Sequence, residues 1–237
     1  MKKNLFSNSW FSIFYNENYI IRKNLFLEIE KCSPALKGKL LDFGCGTKPY
    51  KNLLKNVEEY IGLDFPNDRI NGTILSTDVV YDGKNIPLSN ETCDAVLSTE
   101  VFEHVYNLED TIKEINRVLK KEGMLLITCP FAYPEHEAPY DFARYTSFGI
   151  KYLLEKNGFS IIYYKKTGSY IAVLLQLISL YIFYFISKFG KLKYLFFPVL
   201  ISPFFLLNNF IHLIMPTSLL RQDLYLNNIV LCKKENN

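Results

Sequence analysis

Short apolar runs alternate with amphipathic segments along most of the chain. The apolar runs, bounded by turn residues, predict strands over 39–43, 60–64, 73–80, 93–99, 124–128, 159–164 and 228–233. Strands that alternate with helices form parallel sheets covered by helices on both faces. We therefore expect an α/β fold with a mostly parallel sheet. Ligands bind such sheets beyond the carboxyl ends of the strands.

The amphipathic segments predict the helices, over 19–32, over 50–57, from Asn107 to a stop at Glu122-Gly123, and from Ser147 to Lys156. Asn107 and Ser147 are the expected N-caps of the last two helices. Leu119 completes the apolar stripe of the helix that begins at Asn107.

Two uncharged runs, 170–187 and 194–215, break this rhythm, and Lys188, Lys191 and Lys193 lie between them. They precede the last strand, so residues 170–222 are predicted to be an apolar helical insertion within a single domain (1–237) that opens with a helical cover (1–38). Both runs approach the length of a membrane span. We favour a helical hairpin over 170–215 that lies in one leaflet, with the lysines at the headgroups. The alternative is a buried lid or a dimer interface.

Composition narrows the class of protein. The chain has 237 residues, 49% of them hydrophobic, and a net charge of +3. This size suits one α/β domain, and the weak, scattered charge does not indicate nucleic-acid binding. The five cysteines form no CxxC pair, which favours a reducing compartment. Residues 1–10 lack a continuous apolar core, so no secretory signal is predicted there.

The most informative motif is the glycine turn after the first strand. Residues 40–49 read Leu-Leu-Asp-Phe-Gly-Cys-Gly-Thr-Lys-Pro, and residues 60–64 read Tyr-Ile-Gly-Leu-Asp. Glycine lets the backbone approach a ligand closely, and an acid ending the second strand is placed to accept ribose hydroxyls. A dinucleotide enzyme would need a third glycine for the pyrophosphate, but position 49 is proline. The pattern therefore favours another nucleoside cofactor over NAD.

Together these segments resemble the class I S-adenosylmethionine-dependent methyltransferases, in particular the type 11 group. The resemblance covers residues 40–159 well and the last strand loosely. It includes Asp82-Gly83-Lys84-Asn85-Ile86-Pro87, the run Leu97–His104, and Glu114–Lys120 with Gly123. It implies a Rossmann-like seven-stranded sheet of order 3-2-1-4-5-7-6, with the last strand antiparallel.

The resemblance also implies which residues bind S-adenosylmethionine. The loop that wraps the methionine and ribose maps to Asp42, Gly44, Cys45 and Gly46, and the ribose-binding acid maps to Asp64. Asp82 takes the position that contacts the adenine amine. Thr99 and Glu100 lie in the segment that passes beside the methionine moiety.

The loop after the fifth strand, residues 130–145, carries the candidate catalytic residues His136, Glu137, Asp141 and Arg144. His136 could accept a proton, and Arg144 could hold an anionic group of the acceptor. Alternatively, Asp141 and Arg144 pair to order the loop. His136, Glu137 and Asp141 could also ligate a metal ion, but a hydrogen-bonded loop contains the same residues, so no metal is predicted. Glu103 and His104 face the acceptor or begin a helix.

We expect methyl transfer to a small-molecule or glycan-type acceptor, at oxygen. The insertion suggests a lipid-linked or surface-glycan intermediate and a cytoplasmic protein at the inner face of the membrane. The alternative is a non-catalytic or other nucleotide-binding Rossmann-like protein anchored at a membrane. The sequence does not indicate an oligomeric state.

Overall fold

The computed structural model describes residues 10–14, 16–65, 77–190, 202–214 and 221–236. The chain divides into two compact units. The sheet unit comprises residues 28–166 and 228–237, and the apolar unit comprises residues 1–27 and 167–227.

A seven-stranded sheet with the order β3-β2-β1-β4-β5-β7-β6 forms the sheet unit. Its strands are β1 Gly38–Phe43, β2 Val57–Asp64, β3 Val79–Val80, β4 Cys93–Thr99, β5 Leu119–Pro130, β6 Phe159–Lys166 and β7 Asn227–Lys234. The pairs β1–β2, β1–β4, β2–β3 and β4–β5 are parallel, and β6–β7 is antiparallel. The predicted fold class and strand order are confirmed.

The α-helices among the described residues are α1 Tyr19–Cys32, α2 Leu108–Val118, α3 Ser147–Lys156, α4 Tyr170–Ser187 and α5 Ser202–Ile214. In α2, Leu108, Ile112 and Ile115 are buried in one cluster with Leu125 and Ile127 of β5. The apolar stripe read from the sequence is thus the face that packs on the sheet.

One predicted helix is wrong. Residues 50–57 form only a 3-10 turn over Lys51–Leu53, and β2 already begins at Val57. Val57 pairs with Gly38 of β1, so the chain has to be extended there. Of the predicted strand 73–80, residues 73–76 lie outside the described residues, and β3 is Val79–Val80.

The expected helix ends and caps also need correction. α2 ends at Val118, and Leu119 opens β5 by pairing with Cys93. The Asn107 side chain makes no capping hydrogen bond. Thr146, not Ser147, caps α3, because its hydroxyl accepts a hydrogen bond from the Gly149 N–H at 3.1 Å.

Helix α4 of the apolar unit is the one helix among the described residues that is long and apolar enough to cross a membrane. Its buried face is made of small and polar side chains, whereas its large apolar side chains are mostly exposed. The buried positions are Ala172, Val173, Gln176 and Ser179, whereas Leu174, Ile178, Tyr181 and other large apolar side chains on the opposite face are exposed.

Polar side chains join the buried faces of the apolar unit. Asn208 of α5 donates to the Ser179 hydroxyl at 2.8 Å, and the Gln176 amide donates to the Glu17 carbonyl at 2.7 Å. Asn209 donates to the Ile13 carbonyl at 2.9 Å. The buried side of α4 is therefore held by hydrogen bonds, and its exposed side presents apolar surface.

Candidate functional site

The glycine turn follows β1 directly, and its two glycines serve different purposes. Both have left-handed backbone, with φ of +75° at Gly44 and +48° at Gly46. A Cβ at Gly44 would lie 2.3 Å from Val101 Cγ2, whereas a Cβ at Gly46 would meet nothing within 4 Å. The open space next to the turn therefore lies at Gly46, and Gly44 is required for packing against Val101.

Replacing Gly44 with alanine is expected to destabilise the protein by about 3 kcal/mol, from backbone strain of about 1 kcal/mol plus overpacking. Gly46→Ala, the matched control, has the strain without the collision and should lose about 1 kcal/mol. Urea unfolding measures both. The double variant Gly44→Ala/Val101→Ala should recover the packing part, and equal losses for the two single variants would contradict this assignment.

Asp64 reaches from the end of β2 to the glycine turn. Its Oδ2 accepts the Gly46 N–H at 2.7 Å, and its Oδ1 accepts the Phe65 N–H at 2.8 Å. Burial raises the pKa of Asp64 above its ordinary value, although these two bonds oppose the shift. These bonds fix the Asp64 carboxylate beside the open space at Gly46.

Asp42 is buried at the end of β1. The Tyr60 hydroxyl donates to its Oδ2, and its buried Oδ1 has no hydrogen-bond partner. Burial, reinforced by the charge of Asp64, raises the pKa of Asp42 to about 7. A buried acceptor without a partner is costly, so a donor from a ligand would be stabilised here. Sequence reasoning missed the contact of Tyr60, whose ring and hydroxyl gave no motif signal.

Asp82 has different hydrogen-bond partners from Asp42 and Asp64. Its Oδ1 accepts the N–H groups of Lys84 and Asn85 at 2.7 and 2.8 Å, and these bonds lower its pKa. It remains near the end of β2, because the preceding Tyr81 N–H donates to the Asp64 carbonyl at 2.8 Å. The structure thus places Asp82 on an exposed turn at the same edge of the sheet.

The end of β4 carries the other two predicted cofactor residues. Thr99 pairs with Thr128 of β5, and Glu100 has left-handed backbone with φ of +55°. The Thr128 hydroxyl donates to Glu100 Oε1 at 2.7 Å.

In the glycine turn, burial raises the pKa of the Cys45 thiol to about 12, so this thiol stays protonated and unreactive at neutral pH.

Asp141 and Arg144 form a bidentate ion pair in the loop after β5, with both N–O distances at 2.6 Å. Burial acts to raise the pKa of Asp141, but the bonds from Arg144 and from the His136 N–H outweigh it and lower that pKa to about 2. Arg144 also donates to the carbonyl groups of Tyr133, Pro134 and Ala143. This pairing orders the loop, which is the alternative considered for these two residues.

His136 is held by this ion pair. Its backbone N–H donates to Asp141 Oδ2 at 3.0 Å, and its ring packs edge-on against the His104 ring at 4.7 Å. Burial, and then the charge of His104, lower its pKa, so the ring is neutral at pH 7. The neighbouring Glu137 is exposed, and its charge contributes to the raised pKa of Asp64. The charge of the loop therefore acts on Asp64, the acid at the end of β2.

Glu103 is the residue whose importance sequence reasoning underestimated. Its side chain is fully buried in a 3-10 turn over Phe102–His104, and neither carboxylate oxygen has a hydrogen-bond partner. Burial, and then the charge of Glu100, raise its pKa well above the ordinary value. Its position after the fourth strand suggested a residue that faces the acceptor or begins a helix, and neither reading indicated a buried carboxylate in a 3-10 turn.

Sequence comparison with known proteins finds methyltransferases. Residues 41–127 match the family described as "Methyltransferase domain". The human mitochondrial ubiquinone biosynthesis O-methyltransferase is 35% identical over 127 residues, which are 46% of this chain and 34% of that protein. The chain spans little more than a third of the length of the curated relatives it matches.

Solved structures share the fold at low identity. The [4+2]-cyclase SpnF superposes with a TM-score of 0.59 at 16% identity, covering 91% of this chain and 82% of the cyclase. The Haemonchus contortus phosphoethanolamine N-methyltransferase 2, solved with S-adenosyl-L-methionine, superposes with a TM-score of 0.56 at 17% identity, covering 94% of this chain and 55% of that enzyme.

The strand order, the glycine turn and these matches define the sheet unit as a class I S-adenosylmethionine-dependent methyltransferase domain. Within that class, residues 41–127 are similar to the type 11 group, whose family model matches them.

Proposed function

We propose that this protein transfers the methyl group of S-adenosylmethionine to an oxygen atom of a small-molecule or glycan-type acceptor. The observation that carries the proposal is the Asp64 carboxylate, fixed by the Gly46 N–H at 2.7 Å beside the open space at that glycine. A carboxylate held in this way can accept hydrogen bonds from both ribose hydroxyls.

The other cofactor contacts follow from the same edge of the sheet. The unpartnered Oδ1 of buried Asp42 would receive a donor from the cofactor, and the turn Gly44–Gly46 would cover its methionine and ribose. Asp82 would contact the adenine amine, and Thr99 and Glu100 would lie beside the methionine moiety. The methyl sulfonium is already electrophilic when bound, so the protein has to align the acceptor and exclude water.

The acceptor would bind at the loop 130–145. A neutral His136 can take the proton of an acceptor hydroxyl, and the pair Asp141–Arg144 holds the backbone of His136 in place. Glu137 would add a carboxylate on the cofactor side. Transfer to oxygen is supported by the likeness to a relative named as an O-methyltransferase.

The apolar unit would hold the enzyme at a membrane. A unit that buries Gln176, Ser179 and Asn208 and exposes Leu174, Ile178 and Tyr181 has the polarity expected of helices in lipid. Lys188, at the end of α4, would lie at the headgroups. We therefore favour a cytoplasmic enzyme on the inner face of the membrane, with residues 170–222 as the insertion that docks it and a lipid-linked or surface-glycan acceptor.

Cofactor titration followed by a transfer assay tests the proposal. Calorimetry should detect binding of S-adenosylmethionine and none of NAD. Labelled S-adenosylmethionine should then transfer its methyl group to a component of a membrane-lipid or glycan extract, identified by mass spectrometry. Because one structure with this fold is named as a cyclase, binding alone is insufficient. Binding without transfer to any extract would favour a non-catalytic protein, and failure to bind would refute the proposal.

A further inference from the structure

Three donor side chains outside the cofactor residues converge beside the loop after β5. They are Glu103, His104 and His136, and one donor atom of each lies within 4.8 Å of the other two. Glu103 and His104 come from the turn after β4, whereas His136 comes from the loop after β5. Two separate segments of the chain are therefore folded so that their donors meet.

The carboxylate of Glu103 points to a positively charged ligand. Its side chain is 1% exposed, and both oxygens are buried without a hydrogen-bond partner. The nearby cation, Arg144, is bound bidentately to Asp141 instead. A buried carboxylate is costly unless it is paired or coordinates a metal ion.

The orientation of His104 suits metal ligation. Its Nδ1 lies 2.8 Å from the Tyr140 carbonyl oxygen. A carbonyl oxygen can only accept, so Nδ1 carries a hydrogen, and in the neutral ring Nε2 has the free lone pair. That Nε2 lies 3.8 Å from Glu103 Oε1. A ligating histidine commonly donates its second nitrogen to a carbonyl or carboxylate in this way.

We propose that Glu103, His104 and His136 bind a divalent transition-metal ion of the Zn²⁺ type. Two imidazoles and one carboxylate favour such an ion over Mg²⁺, which prefers oxygen ligands. Ligands of one ion lie about 3.0–3.5 Å apart when each is about 2.1 Å from it, so donor atoms up to 4.8 Å apart have to come closer by as much as about 1.5 Å. Three protein ligands leave a coordination position for water or an acceptor oxygen.

This site differs from the set His136, Glu137 and Asp141 considered from the sequence, because Asp141 is bonded to Arg144. The metal site deepens the proposed function, because its role toward the acceptor depends on methyl transfer taking place at this loop. With the ion bound, the donor nitrogen of His136 would hold the ion in place of taking a proton, and the ion would instead acidify the acceptor hydroxyl, which would release its proton to water.

Metal binding by the full chain tests the inference directly. After chelator treatment and dialysis, calorimetry with Zn²⁺ and visible spectroscopy with Co²⁺ should show one site with micromolar or tighter affinity, and Mg²⁺ should not compete. Glu103→Gln should weaken Zn²⁺ binding by at least 100-fold. Glu135→Gln, which changes an exposed acid next to His136, is the matched control and should leave the affinity within 3-fold.

His136→Ala provides a second variant on a separate segment, in case Glu103→Gln does not fold, and it should also lose the site. The inference is overturned if the wild-type chain binds neither Zn²⁺ nor Co²⁺, or if both site variants bind like the wild type. S-adenosylmethionine binding is measured on the same samples. A wild type that binds the cofactor but no metal would reject the metal site alone. A wild type that does not bind the cofactor would reject the proposed function.

Discussion

Replacing Leu174, Ile178 and Tyr181 together with serine is expected to abolish binding to lipid vesicles. The three side chains are 53%, 45% and 70% exposed and lie on one face of α4. If each contributes about 1.4 kcal/mol on entering the lipid, the triple variant should partition about 1000-fold more weakly. Flotation of the protein with vesicles that contain anionic lipid measures the effect.

The matched control removes three exposed large apolar side chains from the sheet unit. Tyr106, Phe148 and Tyr152 are 85%, 83% and 63% exposed, and serine at all three should leave flotation unchanged. A wild-type protein that stays unbound would argue against membrane docking. If light scattering then showed that the wild type is a dimer and the α4 variant a monomer, a second copy of the chain would be what covers the apolar face.

Asp64→Asn is expected to weaken S-adenosylmethionine binding about 100-fold while the protein stays folded. Asparagine has the same shape but loses the charge that would strengthen each bond to a ribose hydroxyl, and such bonds contribute about 1.5–3 kcal/mol each. Its amide nitrogen also cannot accept one of the two backbone N–H groups, of Gly46 and Phe65, that the carboxylate accepts. Calorimetry measures the affinity, and thermal unfolding confirms that the variant is folded.

Glu59→Gln controls for loss of a carboxylate on the same strand. Glu59 is exposed near the other end of β2, where it pairs with Lys39 at 2.8 Å. The Glu59→Gln variant should bind the cofactor with an affinity within 3-fold of that of the wild type. Equal affinities for Asp64→Asn and the wild type would mean that the carboxylate at the glycine turn does not contact the ribose.

Much of the fold could be predicted because its pattern is local. The apolar runs of β1 and β4 and the stripe of α2 each depend on side chains close in sequence. Leu119 shows the limit, since it fits the stripe of α2 but pairs with Cys93 as the first residue of β5. Both positions bury it, so hydrophobicity could not separate them. The 3-10 turn at Lys51–Leu53 was missed for a similar reason, because the pairing of Val57 with Gly38 is a long-range contact.

The candidate site was predictable where backbone chemistry requires a residue type. Gly46 and Asp64 are of this kind, and the structure joins them by a hydrogen bond. The interactions of Tyr60 and Glu103 were not predictable, because they depend on which side chains become buried together. For Arg144 the sequence suggested a role that the structure does not favour. A cation in a polar loop suggested binding of an anionic acceptor, but in the fold its guanidinium is paired with Asp141.

The position of β7 has a consequence for biosynthesis. This strand lies between β5 and β6 in the sheet, yet in the chain it follows the whole of the apolar segment 170–222. During translation the sheet therefore cannot be completed until that segment has left the ribosome. For the membrane docking proposed above, this order means that the apolar helices would meet the bilayer while the methyltransferase domain is still open, and docking would precede completion of the sheet.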